Sequence, residues 1–179
     1  VLRPVHPNDA AAIVAIYTPF VEQTAISFEL IPPTVPQMRQ RISELTEKYP
    51  WYVWEEAGRV VGYAYAGPYR TREAYQWNAE VSVYVDPGFN RRGIARALYA
   101  QLITELERTG FINLYAVIAL PNDPSVKLHE ACGFEYFATY KNVGFKLNRW
   151  HDVGWWVRSV KDLPQRPKAQ KPAPKISSL

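Results

Sequence analysis

The stretch from Glu80 to Leu106 leaves the fewest choices for how this chain folds. Glu80-Val81-Ser82-Val83-Tyr84-Val85 alternates with period two, so a strand sets the three valines on one face and Glu80, Ser82 and Tyr84 on the other. Asp86-Pro87-Gly88 ends that strand and Asn90-Arg91-Arg92-Gly93-Ile94-Ala95 follows. Ile94, Leu98, Leu102 and Leu106 then recur every four residues, the spacing of a helix with one apolar face. Strand, basic glycine turn and helix in this order predict a mixed α/β domain.

The remainder of the chain agrees. A short strand is expected near Leu2, followed by a helix capped by Asn8 and Asp9 that carries Ile13, Ile16, Tyr17 and Phe20. Residues 21 to 33 read as a connector, and Thr34 with Gln37 forms a capping box for a second helix running to Lys48. Trp51 to Glu55 and Arg59 to Tyr65 flank Ala57-Gly58 as a hairpin, and residues 67 to 78 read as a loop. A strand at 113 to 118, a short helix from Pro121-Asn122-Asp123-Pro124-Ser125 to Cys132-Gly133, and strands near 135 to 146 and 152 to 160 complete the pattern.

A length of 179 residues suits one core. With 47% apolar and 21% charged residues the chain falls in the globular range, no uncharged run is long enough to span a bilayer, and no secretion signal is read at its start. One cysteine, Cys132, and three histidines exclude a disulfide framework and make a metal centre an unsuitable expectation, so a reducing cytoplasm is the expected compartment. The net charge of +4 resides wholly in Arg166, Lys168, Lys171 and Lys175, which leaves residues 1 to 163 neutral. That balance argues against a nucleic-acid groove, and the proline-rich segment 164 to 179 is expected to be a flexible extension to a domain at 1 to 163.

Several residues carry chemistry. A turn entering a helix presents unpaired N–H groups, Gly93 removes bulk, and Arg91, Arg92 and Arg96 add charge that suits a diphosphate; alone, the same turn also fits an ordinary helix start with surface arginines. It lacks the Lys-Ser/Thr pair of a P-loop and the G-x-G-x-x-G of a dinucleotide fold. Glu80 on a strand and His129 on a short helix are titratable groups able to accept a proton, and each alone equally fits a plain polar surface residue. Arg70, Arg72 and Tyr75 set two guanidinium groups beside a hydroxyl, suited to a small dianion or to a solvated loop. Cys132 reads as a packing residue.

The turn Asn90 to Ala95 resembles the pyrophosphate loop Q/R-x-x-G-x-G/A of the GNAT superfamily of acetyl-CoA-dependent N-acetyltransferases, with Asn90 in place of the usual Gln or Arg. A second element of that family, an Asn followed by a helix ending in Gly-Phe, stands as Asn122 through Gly133-Phe134, with His129 where many members have tyrosine. Closer still is the resemblance to its phosphinothricin and methionine sulfone or sulfoximine N-acetyltransferase group. It rests on Ala64 to Arg70, Arg72 with Tyr75, Leu120 to Ser125, Gly144-Phe145-Lys146 and Trp150 to Gly154.

The resemblance implies a twisted central sheet flanked by helices, whose strands 81 to 85 and 113 to 118 diverge around acetyl-CoA. It implies that Val83, Tyr84 and Val85 bind the pantetheine arm, that Arg91, Arg92, Gly93, Ile94, Ala95 and Arg96 bind the pyrophosphate, and that Asn122 contacts the cofactor. Glu80 and His129 become a catalytic pair, and Phe28, Arg70, Arg72 and Tyr75 bind the acceptor, Arg70 standing where close members often have lysine. A small-molecule amino acid acceptor, direct transfer without an acyl-enzyme, and no metal or membrane partner are implied. A homodimer is expected by analogy, with the Trp-rich end of the chain (Trp150, Trp155, Trp156) as its apolar ground. A CoA-binding module without turnover is the rival from another class, and the presence of both Glu80 and His129 argues against it.

Overall fold

The computed structural model describes residues 1–171. Strand β1 (Leu2–Pro4) leads to helix α1 (Ala10–Gln23) and α2 (Val35–Thr46). Strands β2 (Trp51–Glu56), β3 (Arg59–Pro68) and β4 (Asn78–Val85) follow, then α3 (Ile94–Thr109), β5 (Asn113–Leu120), α4 (Asp123–Ala131), β6 (Glu135–Lys146) and β7 (Arg149–Ser159). All seven strands form one sheet in the order β1-β2-β3-β4-β5-β7-β6.

Every neighbouring pair is antiparallel except β4 and β5, which run parallel and pair only at Asn78–Asn113, Ala79–Leu114 and Glu80–Tyr115. Beyond Glu80 the strands part, as expected, and the edge of β4 facing β5 is unpaired from Val81 to Val85. The sheet is packed on both faces. Val81 with Leu98, Leu102 and Leu106 of α3, together with Phe111, Ile118, Phe134 and Trp156, forms one core. Ile13, Ile16, Tyr17 and Val21 of α1 and Met38 and Ile42 of α2 close the other face over Trp51, Val53 and Tyr63.

Some local expectations shift for identifiable reasons. The Thr34–Gln37 capping box forms in both directions. Asp9 stands before α1 but makes no capping hydrogen bond, because its carboxylate is taken by Arg3 at 2.8 and 2.9 Å and by the His6 amide at 2.7 Å. Of the segment expected to be a flexible extension, Lys168, Gln170 and Lys171 make hydrogen bonds to the body. Trp77 Nε1 donates to the Lys168 carbonyl at 2.9 Å, Gln170 Nε2 to the Gln76 carbonyl at 2.7 Å, and the Lys171 amide to the Thr109 carbonyl at 2.9 Å. Residues 172–179 of that expectation lie outside the described residues.

The apolar ground for a dimer also moves. Trp155 and Trp156 are 6% and 4% exposed, filling opposite faces of their own sheet, and only Trp150 is open. Among the exposed apolar side chains, Tyr136, Phe137, Tyr140, Val143 and Phe145 stand together on the edge strand β6. Among the described residues no helix is long and apolar enough to cross a membrane.

Candidate active site

Glu80 is the last β4 residue still paired to β5, so its carboxylate stands where the sheet splits. Alternation puts Ala79 and Val81 into the α3 core and Glu80 on the opposite face, half-buried between Gly67 of β3 and Tyr115 of β5. Burial raises its pKa above the usual carboxylate value, and the positive charge of Arg70 acts in the other direction.

Arg70 is held by aromatic rings. Its guanidinium lies 4.7 Å from the Tyr69 ring centre and 5.4 Å from that of Trp155. Tyr69 stacks on Tyr115 at 4.2 Å and meets Tyr75 edge-on at 5.9 Å. Arg70 and Tyr75 are therefore brought to one site with Glu80 through Tyr69, Tyr115 and Trp155. The sequence singles out none of those three as site residues, because period-two alternation gives a face and not a function. Arg72 is exposed at the start of the 3-10 turn Glu73–Tyr75. Phe28 stands further along the same sheet face, its ring 6.0 Å from that of His151, which is four residues before Trp155 on β7.

The other wall of the split is the turn that leads from β4 into α3. The turn Pro87–Phe89 is fixed by Asp86 Oδ1, which accepts from the Gly88 amide at 2.9 Å. Gly93 then opens α3 at φ +79°, in the left-handed region, with no side-chain cap on the first helical N–H groups. A Cβ built at Gly93 meets nothing within 4 Å, so the space over these amides is open. Of the three arginines, Arg92 turns back to Glu56 at 3.0 Å and lies 5.1 Å from the Phe89 ring centre. Arg96 lines a groove of about 480 Å³ with Cys132, Gly133 and Arg158. Val83 and Val85 pack toward the α3 core while Tyr84, half-buried, packs against Tyr17, Phe20 and Tyr63, so β4 offers the cleft its backbone. Asn122 Oδ1 caps α4 by accepting from the Ser125 amide at 3.3 Å, and the residue lines an open cavity of about 480 Å³ with Leu120, Arg149 and His151.

His129 is not a hydrogen-bonded partner of Glu80. It is 5% exposed on the α4 side of the sheet, whereas Glu80 faces α1 and α2. Nδ1 donates to the Ser125 carbonyl at 2.7 Å, which leaves Nε2 to accept from the Tyr99 hydroxyl at 2.9 Å. Desolvation lowers the imidazole pKa and keeps the ring neutral near pH 7. The two groups flank the split from opposite faces. The Ser125 carbonyl thus fixes the tautomer, and Tyr99, which the sequence analysis does not single out, is the partner of the remaining nitrogen.

The sheet is thus opened between two parallel strands, with uncapped helix amides on one wall and a carboxylate at the apex. Residues 2–155 match the family model described as acetyltransferase (GNAT) domain, and the chain belongs to that family. It is 40% identical over 175 residues to the phosphinothricin N-acetyltransferase of Streptomyces viridochromogenes, covering 98% of this chain and 95% of the relative. The L-methionine sulfoximine/L-methionine sulfone acetyltransferase of Salmonella typhimurium is 39% identical over 105 residues, 59% of this chain and 61% of that one. Among solved structures, the phosphinothricin acetyltransferase of Sinorhizobium meliloti in complex with AcCoA superposes with a TM-score of 0.89 at 34% identity, covering 94% of this chain and 92% of that one. The protein is an acetyl-CoA-dependent N-acetyltransferase of this phosphinothricin-type group.

Proposed function

We propose that the enzyme acetylates the α-amino group of a small amino acid analogue, with L-phosphinothricin the leading acceptor and methionine sulfone or sulfoximine the second. The observation that carries this reading is Glu80 at the apex of the split, paired across the strands with Tyr115, on which Tyr69 stacks, with the Arg70 guanidinium over the rings of Tyr69 and Trp155. The names of the relatives support the same acceptor class.

Bound acetyl-CoA supplies an acyl thioester and a leaving thiol. The residues of this chain do the rest. An ammonium acceptor must lose a proton before it attacks, a cost of about 1.4 to 3 kcal/mol when its pKa lies one or two units above ambient pH. Glu80, with a pKa raised by burial, takes that proton directly or through water. The unpaired β4 edge near Val83 offers an amide to polarise the acetyl carbonyl, and the loop from Arg91 to Arg96 with Gly93 at its centre suits the pyrophosphate. Asn122 stands at the cleft end of α4 as a polar contact for the cofactor. We assign neutral His129, through Tyr99, to the thiol side of the split. Arg70, Arg72 and Tyr75 suit the carboxylate and a second anionic or oxygen-rich group of the acceptor, and Phe28 covers its aliphatic chain.

Release of CoA thiol, followed with phosphinothricin, methionine sulfone, methionine sulfoximine, glutamate, a polyamine and an N-terminal peptide as separate acceptors, tests the reading. Turnover of a phosphinate, sulfone or sulfoximine amino acid is expected. Efficient acetylation of the polyamine with none of the acidic or sulfone-bearing amino acids would overturn it, since two arginines repel a polycation. A homodimer joined through the apolar β6 edge belongs to the same proposal, and sedimentation giving only a 20.6 kDa species would remove it.

A further inference from the structure

Phe28 rides on the connector between α1 and α2, which has no helix or strand of its own and leaves Leu30 and Ile31 73% and 79% exposed. Apolar burial does little to hold such a segment, so its position depends on polar anchors. Most of these come from the helices it joins. Tyr17 Oη shares a 2.6 Å hydrogen bond with Ser27 Oγ and donates to Glu29 Oε1 at 3.0 Å, and Arg41 pairs with the Glu29 carboxylate at 2.7 Å. One anchor crosses the molecule. Lys146, 5% exposed on β6, donates from Nζ to the Ser27 carbonyl at 2.6 Å across 119 residues of sequence.

Gly144 lies two residues before Lys146 on the same strand, and the Phe28 ring occupies the place a side chain would take there. A Cβ at Gly144 would come within 2.5 Å of Phe28 Cζ. His151, opposite Gly144 on β7, borders the ring and donates from Nε2 to the Lys146 carbonyl at 3.0 Å. Burying an ammonium is unfavourable unless its hydrogen bonds are made, so the bond to the Ser27 carbonyl offsets the burial of Lys146 only while the connector stays in place.

We propose that Lys146 is a positioning residue for the acceptor site: its bond to the Ser27 carbonyl holds the connector against β6 and keeps Phe28 seated over Gly144 and His151. This rests on the reading of Phe28 as part of the acceptor site. The residue acts through the connector and touches neither reacting group.

Two measurements separate the clamp from that reading. Hydrogen exchange on the ligand-free protein needs no acceptor: Lys146→Met is expected to speed exchange of amides in residues 24–34 by ~10-fold or more, with the α3 core unchanged, while Lys146→Arg restores much of the protection. Unchanged exchange in Lys146→Met overturns the clamp. Kinetics with whichever amino acid the wild type acetylates should show an acceptor KM raised by ~10-fold, with kcat and acetyl-CoA KM within about twofold. In a Phe28→Ala background the same lysine change should add little, because the ring it positions is gone. A full additional KM rise in that background refutes action through Phe28, and faster exchange with no effect on acceptor KM shows a clamp that does not serve the acceptor. Where Lys146→Met fails to fold, Gly144→Ala displaces the ring from beneath and must give the same acceptor-selective KM rise; an unchanged KM there also overturns the proposal.

Discussion

The two walls of the split sheet, which we propose to bind the cofactor and the acceptor respectively, are built on different principles. The cofactor wall is nearly one continuous stretch, from Glu80 at the apex through the turn at 86–93 into the first turn of α3, and its working groups are mostly backbone amides and the space above Gly93. The acceptor wall is assembled from a connector at 24–34, a loop at 69–77, β5 and the β6–β7 hairpin, and its working groups are side chains held by other side chains. A wall made of backbone tolerates changes of side chain but not of φ. A wall made of packed rings and charges tolerates neither loss of a ring nor loss of a distant brace.

The sharpest test of where they meet is Glu80→Gln, which keeps the shape and removes the proton acceptor. We expect kcat to fall by ~10²-fold or more with little change in acetyl-CoA affinity. A variant with wild-type turnover in steady-state assays would show that the apex carboxylate is not the base. Next comes Gly93→Val. A branched residue is strained at φ +79°, and its methyls fill the open space over the helix amides, so acetyl-CoA binding should weaken by ~30-fold or more at a cost of ~2 to 3 kcal/mol. Calorimetry on the folded variant giving unchanged affinity would mean that the phosphates lie elsewhere.

On the acceptor wall, Arg70→Ala should raise the acceptor KM by ~10-fold, the scale of one charge-assisted hydrogen bond, and leave acetyl-CoA binding alone. It carries a second signature. Because the Arg70 charge lowers the raised pKa of Glu80, its removal lets burial act unopposed, and the acid limb of kcat/KM should move to higher pH. A profile that stays in place would separate Arg70 from the apex.

The contrast between the walls also explains what the sequence reveals. The order of elements and the glycine turn are legible because each depends on neighbours in the chain, Val81, Val83 and Val85 needing only period two and Gly93 only its place before a helix, whereas the parting of the strands comes from the family resemblance. Tyr115 and Trp155 are not legible as site residues, since nothing near residue 115 says that Tyr69 will stack upon it. Lys146 looks like a surface cation at the end of a strand until the connector closes over it, and Trp155 and Trp156 look like an open patch until their opposite faces are both covered. The segment after Pro164 reads as solvated because proline and lysine dominate it, whereas its position against Trp77 and Thr109 comes from backbone carbonyls and amides that composition does not register.

His129 supplies the smallest effect and bears on whether the two faces are chemically separate. Its neutral ring spends Nδ1 on the Ser125 carbonyl and Nε2 on the Tyr99 hydroxyl, with the sheet between it and Glu80. Burial lowers its folded pKa below the ordinary 6.5 shown by an unfolded histidine. The unfolded chain therefore binds the proton first on acidification. The associated stability is present in full above pH 6.5 and is lost as pH falls toward the folded pKa. Thermal melts of wild type and His129→Gln at pH 7.5 and 5.5 isolate this contribution, because other groups titrate alike in both proteins. The wild type should lose more stability than the variant between those two pH values, and the acid limb of kcat/KM, set by Glu80 on the other face, should stay where it was. An acid limb displaced in His129→Gln would couple the two groups across the sheet and end the separation of the two faces.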